Sequence, residues 1–149
     1  MTVILHPTDG SESASKALGF ACDLAASKKA KLLLVHVQRR QGSPQIPPEM
    51  AEFERLEHMW ASEGALLRAA AEQILAEAAD AARSKGLADV ETQLLVGDPT
   101  HQIVECARKH DAEMVVMGSR GLGDLEGLFM GSVSHKVAHA APCTCVIVR

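Results

Sequence analysis

Aromatic residues make up only 3% of the 149-residue chain, and tyrosine is absent. A platform that stacks the bases of a single nucleic-acid strand needs a row of such rings, which argues against that class of function. An excess of positive charge is also missing: Lys and Arg number 15 against 19 Asp and Glu, a formal net charge of −4. Surfaces that hold a phosphate backbone carry the opposite balance, so no nucleic-acid partner is expected. No apolar run approaches the length that crosses a bilayer, so no membrane association is expected either. The opening Met1-Thr2-Val3-Ile4-Leu5 lacks a basic stretch and turns polar at Asp9-Gly10-Ser11, unlike a secretory leader. Cys22, Cys106, Cys143 and Cys145 do not have zinc-site spacing. These absences point to a cytoplasmic protein in a reducing compartment. Repeats and low-complexity tails are lacking too, and the length suits one domain over 1–149 that buries its core without disulfides.

What is present is an alternation of short apolar runs and helical patterns. Val3–His6 is β-branched, short and stopped by Pro7, which predicts a buried strand. Ser11 or Ser13 can cap the helix that follows, in which Ala14, Ala17, Leu18, Ala21, Leu24 and Ala25 recur at helical spacing to about residue 29. Lys31–Val37 carries the continuous apolar run Leu32-Leu33-Leu34-Val35, the mark of a strand covered on both faces in a parallel sheet. Residues 39–48 hold three prolines and a glycine and read as a mobile loop. A long Ala-rich helix follows to about Lys85, closed by Gly86, with Leu67, Ala70, Ile74, Ala78 and Ala81 on its apolar face; Ser62-Glu63-Gly64 is the place where it could break. Val90–Val96 is a third strand. Gly97-Asp98-Pro99 opens a helix to His110 with Pro99 in its first turn, and Glu113–Gly118 is a fourth strand. A glycine-rich loop over 119–130, a short helix over 132–140 and a last strand over Cys143–Val148 complete the order. Strict strand–helix alternation implies an α/β fold with a mostly parallel sheet and right-handed crossovers. Ligands then bind beyond the C-terminal ends of the strands, where the strand order switches.

One stretch carries chemistry. Val115-Val116-Met117-Gly118-Ser119-Arg120-Gly121 is followed after nine residues by Gly131-Ser132-Val133-Ser134. Gly118 and Gly121 have no Cβ, so backbone can approach a ligand closely or adopt positive φ. Gly131 and Ser132 sit where a helix begins, and free N–H groups there favour an anion. The spacing G-x2-G-x9-G-S is not a P-loop, because no Lys-Ser/Thr pair closes it. It is not G-x-G-x-x-G either, because Glu126 stands where the third glycine would fall after Gly121 and Gly123.

This pattern resembles the nucleotide-binding signature of the universal stress protein family, in its ATP-binding branch. Ile4-Leu5-His6-Pro7-Thr8-Asp9-Gly10-Ser11 is similar to the family's first strand and loop. Leu34-Val35-His36-Val37 resembles the end of its second strand, and Ala141-Pro142-Cys143 its C-terminal strand entry. The resemblance spans essentially the whole chain. It implies a three-layer sandwich of the adenine nucleotide alpha hydrolase-like kind: a five-stranded parallel sheet in the order 3-2-1-4-5, flanked by helices. It further implies ATP, with Mg, at the switch between the first and fourth strands. Pro7, Thr8 and Asp9 would line the adenosine side, and Val37 would offer backbone to the adenine. Met117, Gly118, Arg120 and Gly121 would lie under the ribose and phosphates. Gly131, Ser132, Val133 and Ser134 would hold the terminal phosphates. No direct metal ligand is implied; Asp9 would reach Mg through water. The resemblance also implies a homodimer through Cys143–Val148 and a regulatory protein partner that the sequence does not name.

Each of these residues has a plainer role beside the functional one. Asp9 is also suited to cap the next helix, Ser132 to be an N-cap, and Arg120 to sit in solvent. His6 replaces an aliphatic residue of the family and reads as a satisfied core histidine. Cys143 and Cys145 fall on one face of the last strand; they read as small buried hydrophobes, with an intersubunit disulfide as the alternative. His135 and His139 stand four apart on a helix without a third ligand, which suits surface residues. Three functions stay open: a nucleotide-dependent regulator in the stress response, a slow ATPase for which only Asp9 and His6 offer a base, and an interaction module with an empty pocket.

Overall fold

The computed structural model describes residues 1–40, 50–121 and 130–149, with only the backbone described over 50–62. Among the described residues nine elements alternate as β1 (Val3–Pro7), α1 (Glu12–Lys28), β2 (Lys31–Gln38), α2 (Met50–Ser84), β3 (Val90–Val96), α3 (Pro99–Lys109), β4 (Met114–Gly118), α4 (Ser132–Ala140) and β5 (Thr144–Val148). The sheet is parallel throughout, in the order β3-β2-β1-β4-β5. The three-layer sandwich expected from the sequence is therefore present, with element ends within one or two residues of expectation. The loop expected over 39–48 lies, from 41 onward, outside the described residues, as do residues 122–129 of the glycine-rich loop.

The apolar runs explain the layers. Successive strand residues point to opposite faces. Ile4, Leu32, Leu34, Met114 and Val116 pack under α1 and α2 with Leu18, Ala21, Cys22 and Leu75. Leu5, Leu33, Val35, Val115 and Met117 pack under α3 and α4 with Ile103, Cys106, Ala107 and Val137. Both faces are covered, so the three central strands cannot afford polar alternation; β3, at the sheet edge, retains it. Helix α1 faces the sheet with small residues, Ala14, Ala17, Ala21 and Ala25, which lets it lie close.

Two details differ from expectation. The break near Gly64 is absent, and α2 runs unbroken over 35 residues. A helical glycine costs about 1 kcal/mol relative to alanine, which the Ala- and Leu-rich flanks outweigh. The buried face of α2 is also turned from the expected one. Ala71, Leu75, Ala78, Ala79 and Ala82 are buried and Ile74 is half-buried, whereas Leu67, Ala70 and Ala81 are exposed. Alanine occupies several faces of this helix, so periodicity does not select one; contact with the sheet does. At about 1.5 Å per residue the helix outreaches any strand of this sheet, and Leu66 stays 71% exposed.

Candidate functional site

The site forms where β1 and β4 separate. Their register comprises Ile4 opposite Met114 and Leu5 opposite Val115. At the next position His6 Nδ1 donates to the Val116 carbonyl at 2.7 Å, so a side chain spans the gap between the strands. A carbonyl only accepts, so the proton is on Nδ1 and Nε2 is a bare acceptor. Nε2 is buried and has no partner. Burial pushes the ring's pKa down to about 4, against smaller opposing effects of the Val116 bond and Asp9. His6 is thus only half-satisfied, which corrects the expectation of a satisfied core histidine. Being fully buried, it cannot reach a ligand, which removes it as a candidate base.

The chain after β1 is fastened on three sides. Thr8 N–H donates to the Val35 carbonyl at 2.8 Å, and His36 Nδ1 donates to the Thr8 carbonyl at 2.7 Å. Asp9 Oδ1 accepts from the Ser11 N–H at 2.9 Å. Gly10 has φ +79, a left-handed conformation that disfavours any side chain. Ser11 is the cap of α1, accepting from the Ala14 N–H at 3.1 Å, so of the two serines expected for that role Ser11 takes it and Asp9 does not.

The chain after β4 is pinned just as closely. A Cβ on Gly118 would fall 2.5 Å from Ser13 Oγ and 2.8 Å from the Ser13 carbonyl carbon. The expected reason for this glycine was approach to a ligand; its observed reason is the close packing of β4 on α1. Arg120 N–H donates to Ser13 Oγ at 3.3 Å, and Ser119 N–H to the Val148 carbonyl at 2.9 Å. The two ends of the glycine-rich loop meet at the Ser119 carbonyl, which accepts from the Gly131 N–H at 2.5 Å and Ser134 Oγ at 2.9 Å. Ser134 Oγ also lies 3.1 Å from the Gly131 carbonyl. Its hydroxyl proton therefore closes the loop rather than facing outward, which leaves the Ser134 backbone N–H as its group for a ligand. The N-cap of α4 is Gly131, not Ser132, and no side chain caps it. First-turn N–H groups of a helix have no intrahelical acceptor, so those of Ser132, Val133 and Ser134 are open to an anion.

These segments enclose a cleft of about 230 Å³. Pro7, Thr8 and Asp9 line it from β1, and Val37 from β2. Met117, Gly118, Arg120 and Gly121 line it from β4 and the loop, and Ser132, Val133 and Ser134 from α4. Of the residues singled out in the sequence, Gly131 alone is not in the lining; it sits one residue behind, as the cap of α4. Sequence reasoning missed Ala14, Val35, His36, Arg39, Pro99 and Ile103. Pro99 and Ile103 come from α3, which the chain order does not place at this crevice. His36 was legible only as part of a motif: with Nδ1 tied to Thr8, its Nε2 is the acceptor. Among the described lining residues Asp9 is the only carboxylate, against Arg39 and Arg120, so the cleft suits an anion.

A model of the Universal stress protein family matches residues 1–149. The chain belongs to the universal stress protein family. Universal stress protein YxiE of Bacillus subtilis is 32% identical over 154 residues, covering 98% of this chain and 97% of that one. A universal stress protein of Thermus aquaticus is 36% identical over 150 residues, with 98% and 97% covered. Among solved structures, universal stress protein UspA from Lactobacillus plantarum matches with a TM-score of 0.74 at 24% identity, covering 99% of this chain and 97% of that one, a likeness of fold alone. A universal stress protein solved in complex with cAMP matches with a TM-score of 0.72 at 29% identity, with 99% and 97% covered. The fold is the adenine nucleotide alpha hydrolase-like sandwich of this family. No helix among the described residues is long and apolar enough to cross a membrane.

Proposed function

We propose that the cleft binds an adenine nucleotide, ATP with Mg, and that occupancy makes this member of the family a nucleotide-dependent regulator in the stress response. One observation carries the reading: the uncapped start of α4, the Pro7–Asp9 segment and Val37 converge on one crevice whose described lining residues hold more cations than carboxylates. A phosphate group fits the first-turn N–H groups of α4, a ribose hydroxyl fits Asp9, and a base edge fits the backbone at Val37. The cAMP bound by the related structure supports the adenine part of this assignment. Hydrolysis at this site would be slow, because the buried His6 cannot reach a ligand and supplies no base. A homodimer through the outer edge of β5, a cytoplasmic location and a regulatory protein partner belong to the same proposal. The four cysteines are free thiols, which suits a reducing compartment.

The test begins with protein purified without added nucleotide, denatured, and its released small molecules identified by mass. It continues with calorimetric titration of Mg-ATP, ADP, AMP and cAMP. Near-stoichiometric adenine nucleotide, or saturable binding of Mg-ATP, is expected. Nothing released and no binding would make the glycine-rich loop structural and leave protein contacts as the function.

A further inference from the structure

Strand β2 runs out into two arginines, Arg39 and Arg40, both exposed. Among the described residues neither makes an ion pair or a side-chain hydrogen bond. Arg39 lines the nucleotide cleft and also borders a second, more open depression walled by Arg40, Asp98, His101 and Gln102. The two hollows therefore share a wall and form one elongated surface.

The chemistry of the outer hollow is that of an anion site. Two guanidinium groups, an imidazole and a carboxamide supply donors. Among the described residues it has one carboxylate, Asp98, whose Oδ2 accepts from the His101 N–H at 3.0 Å and caps α3. The start of α3 is thus closed by its own side chain, and the hollow's appetite for an anion rests on Arg39 and Arg40. The guanidinium fork matches two phosphate oxygens at once. A mononucleotide held in the cleft as proposed above would leave this shelf empty, whereas a ligand with a second phosphate beside Arg39 would reach both.

We infer that cleft and shelf form one site for a dinucleotide: the cleft takes one adenine nucleotide, as proposed above, and Arg39, Arg40 and His101 take the phosphate of the second nucleotide. Linking the two halves makes the second contact intramolecular, so the dinucleotide binds more tightly than either half. The probes are AMP, the 5′-phosphorylated linear dinucleotide pApA and inorganic pyrophosphate, titrated calorimetrically and by amide NMR shifts at moderate salt. The pApA affinity is expected to exceed that of AMP by about tenfold or more, the worth of one charge-assisted phosphate contact. Arg40→Gln and His101→Gln, both outside the cleft, are expected to erase most of that gain and leave AMP binding within about twofold, since surface substitutions rarely propagate. Equal affinities for AMP and pApA, or an equal loss of both in the variants, would overturn the inference. If AMP fails to bind at all, the nucleotide reading of the cleft fails and the elongated site with it. Pyrophosphate-induced shifts of the Gly97 and Gln102 amides that vanish in Arg40→Gln would then show the shelf alone to be an anion site.

Discussion

His6 Nδ1 and the Val116 carbonyl oxygen, 110 residues apart in sequence, lie 2.7 Å from each other across the seam where β1 and β4 part. The bond satisfies a buried carbonyl beside a short ladder, one residue before the cleft-lining Pro7 and Met117 on the two strands. Its cost is an imidazole sealed from water, neutral, with Nε2 unpartnered.

That cost makes the fold acid-sensitive. Unfolded, the ring titrates near 6.5; folded, at about 4. Between these values the unfolded chain holds one more proton. Stability from this group is therefore complete above pH 6.5, declines as pH falls through the window and levels off below 4. The shift corresponds to a few kcal/mol, on the order of 3. His6→Leu leaves the Val116 carbonyl bare and should cost about 1–3 kcal/mol at neutral pH. At pH 4.5 the same variant should approach or exceed the parent in stability. Urea midpoints for both proteins at the two pH values decide this; a constant difference would mean that His6 does not govern acid stability.

Gly118→Ala separates packing from ligand approach. Its methyl group would strike the backbone of Ser13, not just a movable side chain. Forcing β4 away from α1 should cost about 1–3 kcal/mol without any nucleotide present, as overpacked cores do. Thermal melts of the ligand-free variant provide the measurement. A melt equal to that of the parent would return Gly118 to a purely ligand-facing role.

Gly131→Asp should move stability and binding in opposite directions. At φ −70 the backbone conformation there suits any residue, and aspartate caps a helix better than glycine by a few tenths of a kcal/mol. Its carboxylate would occupy the N–H groups of the first turn and repel a phosphate, lowering Mg-ATP affinity by about tenfold or more. Calorimetry and a urea titration read the two effects separately. Undiminished affinity would move the phosphates away from α4.

The thiols should be slow to react. Burial raises the pKa of Cys22, Cys106, Cys143 and Cys145, which lowers the thiolate fraction at neutral pH. Cys143 and Cys145 lie half-buried against the α3–α4 face of the sheet, so they pack as small hydrophobes and on one face, as their spacing suggests. Ellman's reagent should label native protein slowly, Cys143 and Cys145 first, and all four rapidly in denaturant. Immediate labelling of the native protein would contradict this packing.

The sequence by itself determined the order of elements, because each is written locally. The run Leu32-Leu33-Leu34-Val35 demands a strand covered on both faces, Asp98-Pro99 starts a helix, and the alternation of the two leaves a parallel sheet as the economical layout. It also determined most of the candidate cleft, because glycine, serine and aspartate at the ends of β1 and β4 are residues of turns and caps wherever they occur. What only the tertiary structure decided are relations across the chain. Alanine-rich α2 could bury any of several faces, and the sheet selected the one through Ala71 and Leu75. Whether Gly118 served a ligand or a neighbouring helix depended on where Ser13 came to lie. Ser134 lost its free hydroxyl to a carbonyl 15 residues away. His36, Arg39, Pro99 and Ile103 became wall residues because the 3-2-1-4-5 order brings the ends of β2 and α3 to the seam between β1 and β4. Local propensity acts over a turn or a strand. Packing, burial and hydrogen-bond partnership depend on which distant segments share a surface, and that is settled only when the sheet closes.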